Sequence, residues 1–156
     1  MKGLLIVVSI LLLLASAGFA PADKMIEGKE VQYTADGVVM TATLPIQEYQ
    51  GQAAGVLVVH EWWGHNEYAR KRARMLVKLG YTALAVDMYG DGKQAMHPDE
   101  AGKFSSELMK NFDTAKTRFT AAMEFLKKQP SADLRLAAIG VLFLAAALCS
   151  IWRARC

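Results

Sequence analysis

Residues 55–93 constrain this chain more than any other stretch. Residues 55–59 and 81–86 are short continuous apolar runs, the pattern of strands covered on both faces. Between them Tyr68, Ala69, Ala73, Met75, Leu76 and Leu79 recur at near-helical spacing, and Gly80 closes the run. Asn66 is placed to cap that helix, with Glu67 in its first turn. Strand, helix and strand in this order form a β-α-β unit, which calls for parallel strands and a right-handed crossover. The chain therefore has to build an open α/β sheet. Ligands of such sheets gather at the carboxyl ends of the strands. The turn His60-Glu61-Trp62-Trp63-Gly64-His65 falls at one such end and Asp87 at the next.

The flanking sequence fits the same class. Residues 30–34 and 38–44 alternate apolar and polar positions around Asp36-Gly37, a hairpin signal. Pro98 suits a first helical position, followed by a short stripe of Ala101, Phe104 and Leu108. A longer stripe, Phe112, Ala115, Phe119, Ala122, Met123 and Leu126, ends before Pro130, and residues 134–140 read as a third parallel strand. At the amino end, Met1-Lys2, an apolar run and then Ala-Ser-Ala-Gly-Phe-Ala-Pro-Ala have the layout of an export signal, with cleavage expected after Ala22. The expected organisation is a signal at 1–22, an α/β domain at 23–140 and an apolar tail at 141–156. An exported, periplasmic protein follows from it.

The turn at 60–65 carries the candidate chemistry. A carboxylate at a strand end, beside two Trp, can orient a nucleophile or act as a base. Glu61 is the leading candidate; the alternative is a surface Glu paired with Arg70 or Lys71. Trp62 and Trp63 either wall a pocket or cap the sheet edge. His60-Glu61 invites a zinc reading, but a zinc helix needs its second His at the fourth position after the first, where Gly64 stands, and a strand lies upstream. His60 and His65 then read as turn residues bonded to backbone. Asp87 is open between catalysis and turn formation. Tyr89-Gly90-Asp91-Gly92-Lys93 lacks the helix-opening context of a phosphate-binding loop. Basic residues are dispersed except for Arg70, Lys71, Arg72 and Arg74 on one helix, and the net charge of +3 does not point to nucleic acid. Cys149 and Cys156 lie close together near the end and offer no metal-ligand spacing.

The segments His-Glu-Trp-Trp-Gly after one strand and Ala-Val-Asp-Met-Tyr-Gly-Asp-Gly-Lys at the end of the next are similar to the amino-terminal half of the dienelactone hydrolase family, within the α/β-hydrolase superfamily. The likeness covers residues 28–140. It implies a doubly wound sheet in three α/β/α layers, of which this chain carries part, preceded by the hairpin. It also implies hydrolysis of a small-molecule lactone or ester by a Cys-His-Asp triad, without metal or organic cofactor. The family's nucleophile-orienting Glu matches Glu61, and the next backbone N–H, an oxyanion-hole donor, matches Trp62; Trp63 is the candidate binding residue.

The nucleophile elbow of the family should follow Gly140 as Gly-Tyr-Cys-Phe-Gly-Gly or similar. This chain has Val141-Leu142-Phe143-Leu144-Ala145-Ala146-Ala147, and nowhere a Gly-x-Cys-x-Gly or Gly-x-Ser-x-Gly. The later Asp and His are absent too, so the chain as written is expected to be inactive. Val-Leu-Phe-Leu can be encoded so that the next frame reads Tyr-Cys-Phe, which makes residues 141–156 a candidate out-of-frame tail. Cys149, among bulky neighbours, does not suit a nucleophile. The alternative is a membrane-tethered, non-catalytic α/β binding domain anchored through residues 136–152, a stretch marginal for a span.

Overall fold

The computed structural model describes residues 26–46 and 51–140. The expected export signal at 1–22 and the tail beyond Gly140 lie outside them.

A hairpin comes first. Strands β1 (Glu27–Ala35) and β2 (Val38–Ile46) pair antiparallel, with Ala35 opposite Val38. Asp36 and Gly37 both take positive φ, 54° and 72°, as a two-residue turn matched to strand twist requires. Strand β3 (Ala53–Val59), helix α1 (Glu67–Lys78) and strand β4 (Thr82–Val86) form the expected unit, with β3 and β4 parallel from Gly55 opposite Thr82 to Val59 opposite Val86. Helices α2 (Pro98–Lys110) and α3 (Phe112–Lys127) follow, and β5 (Ala132–Ile139) adds parallel to β3. The sheet order is β1-β2-β4-β3-β5.

Two cores lie on opposite faces of this sheet. Leu57, Val59, Leu84 and Val86 pack with Leu108, Phe119, Met123 and Leu126 of α2 and α3. Val58, Ala83 and Ala85, which alternate with them, pack with Ala73 and Val77 of α1. The period-two alternation of a strand thus feeds both layers, which is why β3 and β4 read as unbroken apolar runs. The result is the α/β/α arrangement expected. The chain passes from β3 to β4 on one side and returns to place β5 on the other, so the winding reverses at β3.

Helix α1 begins as its sequence indicates: the Asn66 side chain accepts from the Ala69 N–H at 3.2 Å. It ends in a Schellman turn, with Gly80 N–H on the Val77 carbonyl, Tyr81 N–H on that of Leu76, and Gly80 at φ 89°. The buried stripe differs from the expected one. Ala69, Ala73 and Val77 face the sheet, whereas Tyr68, Met75 and Leu79 are exposed. Small residues at 69 and 73 let the helix approach the strands closely, and of the larger side chains expected in the stripe Leu76 packs partly against that core. The stretch considered as a membrane segment is also corrected in part, since residues 136–139 are strand, paired with β3. Among the described residues no helix is long and apolar enough to cross a membrane.

Candidate active site at the ends of β3 and β5

Residues 60–65 leave β3 as a tight turn. The Glu61 carbonyl accepts from the Gly64 N–H at 3.2 Å, and Gly64 N–H geometry is reached at φ 85°. The turn lies against residues 93–95: Ala95 N–H bonds the Trp63 carbonyl at 2.9 Å, and Gly64 pairs with Gln94. A Cβ on Gly64 would stand 2.2 Å from the Lys93 carbonyl oxygen, so close backbone approach requires the glycine.

His60 is buried and holds two segments together. Its Nδ1 lies 2.5 Å from the Glu61 carbonyl oxygen, and its Nε2 accepts from the Met88 N–H at 3.1 Å. A carbonyl only accepts and a backbone N–H only donates, so the ring is neutral with its proton on Nδ1. Burial pushes its pKa below the usual histidine value. His65, also buried, meets the Thr43 hydroxyl at 3.2 Å, and burial lowers its pKa to about 4. Both histidines are therefore structural turn residues.

Asp87 is resolved in the same way. It is fully buried, and its two oxygens accept from the backbone N–H groups of Tyr89, Gly90, Gly92 and Thr41 at 2.8–3.2 Å. These bonds shape the loop after β4 and join it to β2. They also turn the Tyr89, Gly90 and Gly92 donors inward, while Asp91 and Lys93 N–H bond Val39 and Gly90 carbonyls. The loop has no backbone donors left with which to cradle a phosphate.

Glu61 remains half-buried at the end of β3. Among the described residues no ion pair joins it to Arg70 or Lys71; Arg70 bonds Glu67 at 3.3 Å, and Arg74 bonds Glu67 as well. A cleft of about 140 Å³ opens beside Glu61, lined also by His60, Tyr68, Arg72, Ile139 and Gly140. It thus joins the carboxyl ends of β3 and β5 at the reversal of winding, where ligands of this architecture are held. Among the described residues nothing accepts the Trp62 N–H. The Trp62 and Trp63 rings meet edge to face at 5.1 Å, with Trp62 exposed; Trp63 is not among the residues lining this cleft. Among the described residues no group of three His, Cys, Asp or Glu could hold a metal ion.

Sequence reasoning missed Tyr89. Its hydroxyl donates to the Trp62 carbonyl at 3.0 Å and its ring packs edge-on against His60 at 4.6 Å. Burial raises the phenol pKa to about 12, so the donor proton stays in place. Tyr68, expected in the helix stripe, and Arg72, noted only in the basic cluster, were not read as cleft residues, yet both line it. No short-range signal marks any of the three, because each becomes relevant only when loops and α1 meet at β3.

Residues 36–144 match the model of the dienelactone hydrolase family. A protein of Aquifex aeolicus named for a carboxymethylenebutenolidase is 34% identical over 105 residues, covering 65% of this chain and 44% of that protein. Two solved structures are similar at the level of fold and sequence. One, named m3DLH, has a TM-score of 0.74 and 35% identity over 79% of this chain and 53% of its own. The other, a dienelactone hydrolase-like promiscuous phosphotriesterase from metagenomic libraries, has a TM-score of 0.75 and 30% identity, over 83% and 54%. The chain spans about half the length of these relatives.

Proposed function

Because this chain belongs to the dienelactone hydrolase family, with the α/β-hydrolase fold, we propose that the protein hydrolyses a small carboxylic ester or lactone at the cleft between β3 and β5. The observation that supports this is that, at one strand end, no described residue forms an ion pair with the Glu61 carboxylate and none accepts the N–H of the next residue, Trp62. In the proposed reaction a cysteine thiolate attacks the substrate carbonyl carbon. The carbonyl electron pair moves onto oxygen, where the Trp62 N–H stabilises it. Collapse expels the alkoxide, which takes a proton from an imidazolium, and water then displaces the thiolate from the acyl group. Glu61 holds the resting nucleophile, and Tyr68, with Ile139, gives the apolar part of the substrate a wall, whereas Trp63, the binding residue expected from the sequence, stands outside this cleft.

Residues 1–156 carry Glu61 and Trp62 but no elbow Gly-x-Cys-x-Gly. Hydrolysis by these residues alone is therefore expected at background, and we take 141–156 as a shifted reading frame. Sequencing the gene across the codons for 140–156 tests this. If the frame encoding Tyr-Cys-Phe continues open, its product is the enzyme to assay. With p-nitrophenyl acetate and a five-membered lactone, that product should turn over, and Glu61→Ala should slow it on the order of 100-fold through a misplaced nucleophile. An active elbow-bearing product indifferent to Glu61→Ala would remove Glu61 from the site. Residues 1–22 are proposed as the export signal, and amino-terminal sequencing of the periplasmic protein should begin at Asp23.

A further inference from the structure

The buried ring of His60 has no place in the proposed reaction, yet it bonds the peptide group that the reaction uses. Its Nδ1–H holds the Glu61 carbonyl, which also accepts from Gly64 N–H. The opposite nitrogen is held by Met88 N–H, just past the end of β4. The Glu61 carbonyl is therefore drawn toward the β4 side of β3. In a trans peptide the following N–H points the opposite way, and no peptide here is cis among the described residues. Strand β5, with Gly140 at its end, lies on the other side of β3 from β4. The next peptide is pinned as well, by the Tyr89 hydroxyl on the Trp62 carbonyl.

We propose that His60 is a positioning residue: its neutral ring fixes the Glu61–Trp62 peptide so that the Trp62 N–H faces the β5 side of the cleft as a preorganised oxyanion donor. The inference rests on the hydrolase reading for its consequence, though its geometry does not. An oxyanion donor is effective because it needs no reorientation when charge develops. A free turn peptide would rotate; one held at both carbonyls does not. The ring suits the task because it presents a donor and an acceptor on opposite edges of a rigid plane. Tyr89 packs edge-on against the ring at 4.6 Å, and the ring is buried.

The geometry is tested on the chain itself. Long-range nitrogen–proton correlation at neutral pH should find the His60 proton on Nδ1. Residual dipolar couplings should show the Trp62 N–H vector reoriented in His60→Leu and retained in His60→Gln, whose amide can give the same donor and acceptor, with β1 and β2 couplings unchanged as a control for folding. A proton on Nε2, or a Trp62 vector unmoved in His60→Leu, overturns the proposal. If His60→Leu does not fold, the tautomer and the retained vector in His60→Gln still decide it. The consequence is tested in any catalytically active form: His60→Leu should lower kcat on the order of 100-fold with little change in KM, and His60→Gln should restore most of it. A reoriented Trp62 without loss of kcat would overturn the catalytic half. Absence of ester turnover in the elbow-bearing wild type would count against the hydrolase reading, leaving the dipolar couplings to judge the positioning.

Discussion

Single residues at the top of the sheet divide into those that hold backbone and those left free. Asp87 spends both oxygens on four backbone donors. Replacing it by Asn turns an amide NH₂ against donors, so Asp87→Asn should cost about 3 kcal/mol in urea unfolding. His60 and His65 carry a pH dependence. Both pKa values are lowered in the fold from the ordinary 6.5, His65 to about 4. Below 6.5 the unfolded chain binds more protons than the folded one, so stability is full above that pH and falls as pH drops toward 4. Urea midpoints between pH 7.5 and 4.5 should decline accordingly, and His65→Gln should flatten part of the slope. At this scale the sequence was legible for the structural option held open for Asp87, while for Glu61 the structure removes the alternative of an ion pair with Arg70 or Lys71 among the described residues. It was not legible for Tyr89, because a hydroxyl's partner across 27 positions depends on where two loops meet.

At the scale of elements, ends were more legible than faces. Asn66, Gly80, Pro98 and Asp36-Gly37 each act through bonds or φ angles within a few residues, so local sequence suffices to place them. The face of α1 depends instead on what lies opposite, and the structure buries Val77 while exposing Met75 and Leu79. Two glycines separate local from tertiary constraint. A Cβ on Gly80 meets nothing within 4 Å, so Gly80→Ala carries only the left-handed backbone penalty, about 1–2 kcal/mol. Gly64 has a comparable φ and also faces backbone at 2.2 Å. Gly64→Ala should cost clearly more, about 4 kcal/mol, in the class of severe backbone lesions. Equal losses in parallel thermal melts would contradict the close approach of residues 93–95.

For the molecule as a whole, the five strands are packed unevenly. Leu57, in β3, is fully buried, whereas Leu134, in β5, is 85% exposed. Leu57→Ala should therefore cost about 2–5 kcal/mol, and Leu134→Ser should change stability by less than about 0.5 kcal/mol. A loss with Leu134→Ser as large as that with Leu57→Ala would mean that β5 is covered in solution by something other than the described residues. The same arrangement places the site: the winding reverses at β3, and the cleft joins the ends of β3 and β5.

By itself the sequence determined the β-α-β unit, the hairpin, the caps and the family to which residues 36–144 belong, because apolar periodicity and turn chemistry act over short spans. Tertiary structure alone decided which donors remain free. Sequence places four polar residues, His60, Glu61, His65 and Asp87, at the strand ends and favours Glu61, but it does not show their partners. Folding satisfies three of them with partners from β2, β4 and its loop, since a buried polar group without a bond is costly. Among the described residues it leaves the Glu61 carboxylate without an ion-pair partner at the cleft and the N–H of the next residue, Trp62, without an acceptor, the two groups on which the proposed reaction rests.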